Sequence, residues 1–484
     1  MAQICNKAAA CLLVFIVGVG TPAPMVLSAQ PPAVKWVPTW TAAPQLVEDA
    51  NLPPAPGFGD ATLRQNVRVS IGGQKIRVRF SNAFGQTALT LASVHVAQSA
   101  GGSTLQKATG RPVTFRGNGS VTIPAGAQIV SDAFDFDLLP LSDIAVTIHL
   151  RGAPAAVTGH PGSRTTSYLQ PGNDTTALEL PAAVPVVHWY FLSSVEVLAS
   201  ATASAVAILG DSISDGRGST TDGNDRWTDN LARRLHAASP NSPIAVLNLA
   251  LGGNRLLRDG VGPNALARLD RDILSQPHVK WLIVLEGIND IGNAAIARAK
   301  GEWAPAADDV ILAYEQIIER AHAHGILVYG GTLMPFEGFK LYDTPEAEKE
   351  RQRVNAWIRT SGRFDGVIDF DAVTRDPERP TRLSPRVDSG DHLHPSPAGY
   401  RIMAEAIDLA LFVSRGPAEA GHYERIPRGP AEAGHYDRIL HSPAEAGHYG
   451  RTRNAMLWRS SSRDDDPTIR RNSPGSTRKI MSIS

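Results

Sequence analysis

The sequence predicts two architectures in series: an antiparallel β-sandwich over residues 36–198, then an α/β domain on a parallel sheet over residues 203–415. Three observations lead there. Between Val67 and Leu150, apolar residues recur at every second position in short runs broken by Gly, Pro and Asn, as in half-buried strands. From Ala205 the pattern becomes continuous apolar runs alternating with helical spacing, as in strands buried on both faces beneath crossover helices. Finally, segments rich in polar, reactive residue types follow the ends of those runs, where open sheets of this kind bind ligands.

In chain order, the first element is a leader over residues 1–29. It carries Lys7, an apolar run from Ala8 to Gly20 and the small-residue end Leu27-Ser28-Ala29, the pattern of a cleaved secretory signal. The run is too short to span a bilayer, so a secreted or periplasmic protein without stable membrane insertion is expected. Both cysteines, Cys5 and Cys11, lie inside the leader, so the mature chain needs no disulfide. In the sandwich, Val67, Val69 and Ile71 lead through Gly72-Gly73 to Ile76, Val78 and Phe80, which predicts a β-hairpin turning on two glycines. Leu89 and Leu91, Val121 and Ile123, Phe134 and Phe136, and Ile144 to Leu150 supply further strands, suggesting a jelly-roll-like arrangement. Trp36, Trp40, Trp189 and Tyr190 are of the types that stack on sugar rings, although such residues in a sandwich more often pack its core.

The α/β region predicts strands at Ala205–Leu209, Ile244–Leu249, Trp281–Leu285, Ile326–Tyr329 and Val367–Phe370. Trp227, Leu231 and Leu235, four residues apart, mark one of the helices between them, and Ser396-Pro397 opens a last one. The segment from Phe336 to Thr344 is expected to border the cleft, with no role assigned to it.

Four blocks carry chemistry: Gly210-Asp211-Ser212, Gly252-Gly253-Asn254, Gly287-Ile288-Asn289-Asp290 and Asp391-His392-Leu393-His394. Ser212 follows the first parallel strand, where a hydroxyl is exposed beside a helix start and can act as a nucleophile once a base takes its proton. His394 is the base candidate, and Asp391, three residues earlier, can fix its tautomer. A tetrahedral intermediate needs hydrogen-bond donors for its oxyanion; the amides of Ser212 and Gly253 and the side chain of Asn289 are placed to supply them. Each residue also has a plainer reading. Ser212 is a good helix N-cap, Asn289-Asp290 a good turn, and His392 with His394 a conceivable metal pair, though no third ligand cluster accompanies it. Asp211 and Asp290 read as turn carboxylates that support their neighbours.

These blocks, in this order, resemble the SGNH hydrolases, also called the GDSL esterase family. Ser212 matches the family nucleophile, Gly253 and Asn289 its oxyanion-hole positions, and Asp391 and His394 its Asp-x-x-His pair; Ile213 stands where the older motif name has Leu. The resemblance spans roughly residues 203 to 415, and the segment from Trp36 to Glu196 looks like the β-domain that precedes the hydrolase in a subgroup of secreted bacterial members. It implies a three-layer, flavodoxin-like hydrolase domain that cleaves carboxylic esters through an acyl-enzyme with no cofactor and no metal. Deacetylation of carbohydrate esters is the substrate class it favours. A lipase or arylesterase on small acyl esters is the alternative, and a catalytically dead sugar-binding protein the reading from another class.

The chain is long enough for more than one domain at 484 residues. Lys+Arg and Asp+Glu both total 47, so no global charge favours nucleic acid or an anionic membrane. The expected partner is a small-molecule or polysaccharide ester. Beyond Arg415 the motif Pro-Ala-Glu-Ala-Gly-His-Tyr recurs at Pro417, Pro430 and Pro443, and Arg-rich sequence follows. Copies this short lack the apolar residues for a core, so residues 416–484 are expected to be a disordered appendage. The alternative is a wall- or metal-binding tail using His422, His435 and His448.

Overall fold

In the computed structural model, which describes residues 33–152 and 154–413, the period change at Ala205 coincides with a change of sheet type. The leader with its two cysteines and the repeat-bearing tail lie outside the described residues. Among the described residues, every strand before Ser204 pairs antiparallel. One sheet orders Val34–Thr41, Leu192–Ser200, Gly73–Ser81 and Phe134–Leu138 side by side, with Gln128–Val130 also on Gly73–Ser81. A second runs from Val184–Val186 through Ser167–Pro171, Ala61–Arg68 and Asp143–Leu150 to Leu89–Gly101 and Thr104–Leu105. A small third sheet joins Trp189–Tyr190, Thr158–His160 and Gln45–Leu46.

The hairpin expected around Gly72-Gly73 does not form. Ala61–Arg68 pairs with Asp143–Leu150 and Ser167–Pro171, whereas Gly73–Ser81 pairs in the other sheet with Leu192–Ser200 and Phe134–Leu138. The intervening residues cross between sheets: the Val69 amide donates to Ser142 O and the Ser70 amide to Thr39 O, both at 3.0 Å. Neither glycine has the positive φ that a two-residue hairpin turn requires. Gly72 is needed for another reason, close approach, because a Cβ there would lie 2.3 Å from Leu138 O.

The parallel sheet has five strands, in the order Ile244–Asn248, Ser204–Gly210, Val279–Leu285, Leu327–Gly331, Gly366–Ile368. Its first strand is apolar because both its faces are covered: Ala205 through Leu209 are fully buried. Helix Trp227–Ala238 buries Trp227, Leu231 and Leu235 and packs on Ile244–Asn248 and helix Pro397–Glu405; helix Ala307–Ala323 packs on Leu327–Gly331 and helix Pro345–Thr360. The fifth strand is shorter than expected. Asp369 accepts from the Ala372 amide at 3.1 Å and caps a short helix, so Phe370 begins Phe370–Thr374 instead of ending the strand.

The two regions meet at the edge of the parallel sheet. Strand Val34–Thr41 packs against Ile244–Asn248, and the Val246 amide, which has no parallel neighbour on that side, donates to Ser70 Oγ at 3.2 Å. Arg271 donates to Pro44 O at 3.0 Å, and Arg226 donates to Ser163 O. Trp40, Trp189 and Tyr190 are buried here and in the core of the antiparallel region, with Trp40 edge-on to Trp189 at 4.9 Å, while Trp36 lies under the Arg77 guanidinium. Their work is packing. Among the described residues, no helix is long and apolar enough to cross a membrane.

Candidate active site

Strand Ser204–Gly210 runs into Asp211, whose carboxylate accepts from the Ile213 amide at 2.9 Å and so caps helix Ser212–Asp215. The N-cap is therefore Asp211, and the Ser212 hydroxyl is free for another partner. That partner is His394: Ser212 Oγ lies 2.8 Å from His394 Nε2, across 182 residues of sequence. Glycines make the approach possible. Gly216 ends the short helix at φ 103°, and Gly218, at φ 95°, comes so near the 389–395 loop that a Cβ would lie 2.4 Å from Pro395 O.

On its other side, His394 Nδ1 lies 2.6 Å from Asp391 Oδ2. Asp391 Oδ1 accepts from the amides of Leu393 at 3.0 Å and His394 at 2.9 Å. Burial opposes ionisation of Asp391, but these hydrogen bonds, that from the imidazole foremost, hold its carboxyl well below the usual carboxylate range. An ionised carboxylate only accepts, so Nδ1 carries the proton and Nε2 offers its lone pair to Ser212. His392 is turned elsewhere: its Nδ1 sits 2.6 Å from Asp388 Oδ2, and its ring packs on Gly338. Among the described residues, no group of three or more His, Cys, Asp or Glu could hold a metal ion.

Gly253 adopts φ 69°, a conformation that favours glycine, and neither its amide nor that of Ser212 meets a protein acceptor among the described residues. Asn289 is the second residue of helix Ile288–Gly292, which follows Gly287 at φ 113°. Its Nδ2 donates to Asn254 O at 2.8 Å, tying this loop to the residue after Gly253, and its Oδ1 accepts from Tyr342 at 2.7 Å. One hydrogen of the Asn289 amide is thus used in fixing its orientation, and one remains. The structure joins Ser212, His394 and Asp391 in one hydrogen-bonded chain and Gly253 to Asn289 through Asn254.

Three carboxyls sit beneath these loops. Burial first, then the nearby negative charges of Asp290 and Asp215, push Asp211 up to about 7. Burial likewise lifts Asp290 to about 6, although the amides of Leu256 and Leu257 donate to it at 2.8 and 3.2 Å. Glu286 is fully buried and raised well above the usual range, by desolvation first and then by Asp211. Asp290 therefore pins the turn after Asn254, a supporting role of the kind its place in the sequence suggested.

Sequence reasoning missed Tyr342 and Phe339. The Phe336–Thr344 segment does border the cleft: Tyr342 fixes Asn289, and the Phe339 ring stands edge-on to the His394 ring at 6.5 Å. No periodic or motif signal marks them, since their roles depend on a loop's tertiary path. Asn254, by contrast, lay inside a block already singled out.

The GDSL-like Lipase/Acylhydrolase family model matches residues 208–402. No curated protein matches the chain. Solved structures with a likeness include an acetyl xylan esterase variant from Geobacillus stearothermophilus, 22% identical, with 44% of this chain and 97% of that one covered at a TM-score of 0.35. A GDSL-like lipase from Bacteroides thetaiotaomicron is 19% identical over 43% of this chain and 88% of its own, at 0.32. An alpha/beta hydrolase enzyme from the Lake Arreo metagenome is 17% identical over 43% and 94%, at 0.33.

Proposed function

We propose, from the premise that residues 208–402 belong to the GDSL-like Lipase/Acylhydrolase family and make the protein a serine ester hydrolase, that it is a secreted deacetylase of carbohydrate esters working through an acyl-enzyme on Ser212. The observation that carries the mechanism is the chain Ser212 Oγ, His394 Nε2, His394 Nδ1, Asp391 Oδ2, with separations of 2.8 and 2.6 Å at its two hydrogen bonds. Ser212 Oγ attacks the acyl carbon as its proton passes to His394 Nε2. The carbonyl oxygen becomes an oxyanion, met by the amides of Ser212 and Gly253 and the remaining Asn289 Nδ2 hydrogen. Collapse expels the alcohol, which takes the proton from His394. Water then repeats the sequence, releasing the carboxylic acid and restoring Ser212. No step calls for a cofactor.

Three features bear on the substrate class. The leader pattern directs the chain outside the cytoplasm, and the antiparallel region looks like those that accompany sugar-directed esterases. The cleft wall near His394 is the compact Phe339–Tyr342 pair, whose ring centroids are 4.9 Å apart. A short acyl group on a polar, polymeric alcohol suits these features. The test is a series of acyl chain lengths on one alcohol, alongside acetylated sugars. Acetyl esters should be cleaved at least about tenfold more efficiently than octanoyl esters, roughly 1.4 kcal/mol of transition-state stabilisation. Efficiency that climbs with chain length, as an apolar slot gives at ~0.8 kcal/mol per buried CH₂, makes the enzyme lipase-like instead. A folded wild-type protein that a fluorophosphonate fails to label at Ser212 overturns the mechanism itself.

A further inference from the structure

The three proposed oxyanion donors lie on three loops, and one side chain outside the four sequence blocks bonds to two of them and reaches the third through Asn254. Arg268, in helix Ala265–Leu269, is completely buried. Its Nε donates to Asn254 Oδ1 at 2.9 Å, its Nη1 to Leu249 O at 2.6 Å, and its Nη2 to Gly210 O at 3.3 Å. Gly210 is the last residue of the strand that leads into Ser212. Leu249 and Asn254 bracket the loop that carries Gly253, and the Asn254 carbonyl is the acceptor that orients the Asn289 amide. We infer that Arg268 is the positioning residue of the oxyanion hole, a single planar fork that sets the spacing of the Ser212, Gly253 and Asn289 donors.

A wholly structural reading of Arg268 leaves most of this unexplained. The counter-charge it needs is supplied by Asp272 at 3.3 Å, and Asp272 is also held by Arg271 at 2.6 and 2.9 Å. Buried ion pairs add little net stability compared with apolar packing of the same volume, because desolvation offsets the Coulomb gain. The three remaining hydrogen bonds all end on the loops that carry the proposed donors. Donors aimed at developing charge act through preorganisation, so a brace that fixes their spacing is felt in turnover more than in binding. A guanidinium is suited to this: it presents rigid donors in several directions at once, which a lysine ammonium on a flexible stem does not. Its positive charge also acts on the buried Glu286, opposing the rise that burial gives that carboxyl.

The inference rests on the ester-hydrolase reading, and the test separates the two. Arg268→Lys keeps the charge and loses the fork; Asn254→Ala removes the Asn254 acceptor of Arg268 but leaves the backbone carbonyl that holds Asn289. Both folded variants should lose at least about tenfold in kcat with KM within about threefold, and either change made in an Asn289→Ala background should cost under about threefold more, since the hole is already broken. Amide hydrogen exchange over residues 249–254 should rise in both, a readout that needs no substrate. If Arg268→Lys does not fold, Asn254→Ala decides alone. Folded variants that keep kcat within twofold, or losses that multiply in full with that of Asn289→Ala, overturn the inference. A wild type that cleaves no ester while the variants still loosen residues 249–254 sinks the ester-hydrolase reading and leaves the brace standing.

Discussion

Replacing Asp391 by Asn changes a single atom, and the structure says which consequence follows. Oδ1 accepts the amides of Leu393 and His394, so an asparagine oxygen retained at that position keeps the loop's conformation. The NH₂ group then takes the place of Oδ2, 2.6 Å from His394 Nδ1. An amide donates where the carboxylate accepted, so the imidazole must turn its Nδ1 lone pair toward residue 391 and carry its proton on Nε2. Nε2 then faces Ser212 Oγ as a donor and cannot take the hydroxyl proton. A histidine locked in the wrong tautomer lowers turnover by about 10^4, equivalent to ~5.4 kcal/mol of barrier, while substrate binding is little changed. Asp391→Ala, which leaves the ring unoriented but free to sample both tautomers, should be no worse. The assay is steady-state hydrolysis of a 4-nitrophenyl ester, with near-UV circular dichroism to show that each variant is folded. A folded Asp391→Asn enzyme with more than about a tenth of the wild-type kcat would refute the assignment of Asp391 as the group that sets the tautomer.

Three further outcomes are expected. Tyr342→Phe removes the hydroxyl that donates to Asn289 Oδ1 at 2.7 Å, so the amide is held from one side only; kcat should fall roughly 3- to 30-fold in the same assay, less than the ~10^2 or more for Asn289→Ala. Asp211 and Asp290, pushed up to about 7 and about 6 from the ordinary 3.8, keep protons in the folded state that the unfolded chain releases above about 4. Their contribution to stability is present at the acid end of that window and lost as pH rises to about 7, so the melting temperature should drop by at least about 3 °C between pH 5 and pH 8, with a shallower drop in Asp211→Asn. Deleting residues 33–201 uncovers the Val246 edge and strips the buried Asp215 of its partner His160, so the remaining α/β region should fail to give a cooperative melt by calorimetry.

Much of the frame was legible because it is encoded locally. The five parallel strands announce themselves as short apolar runs, and the chemical blocks follow three of them, so Ser212, Gly253 and Asn289 could be named before any contact was known. Other features were not legible. The Gly72-Gly73 pair has the composition of a hairpin turn, but its glycines serve a crossing between sheets, where what matters is the nearness of Leu138 O and not φ. Tyr342 and Arg268 act through hydrogen bonds to residues 53 and 14 positions away, the second reaching also to Gly210 at 58, and no periodicity records such pairings. Asp211 looked like a turn residue, and in the structure it caps the helix that begins at Ser212. Its burial with Glu286 and Asp290 depends on two strand ends converging, those of Ser204–Gly210 and Val279–Leu285, which no single segment shows.

The antiparallel region cannot be treated as a detachable accessory to the chemistry. His160, on one of its short strands, is held by Ala43 O at 2.9 Å through Nδ1 and reaches Asp215 Oδ1 at 2.8 Å through Nε2. Asp215 is the last residue of the four-residue helix that begins with Ser212, and Arg226, whose Nε donates to the Asp215 carbonyl at 3.0 Å, donates through Nη2 to Ser163 O. The far end of the helix that carries Ser212, the proposed nucleophile, is therefore fixed by the antiparallel region, and its near end by Asp211. With so short a helix, a displacement at Asp215 moves Ser212 Oγ relative to a His394 that is anchored independently by Asp391, and misplacement of about 1 Å is enough to cost on the order of 10^2 in rate. A variant such as His160→Ala, which leaves the parallel sheet and its edge cover intact, should therefore lower kcat on even the smallest acetyl ester. Equal activity of that variant and the wild type on 4-nitrophenyl acetate would return the antiparallel region to the role of a separate sugar-directed module.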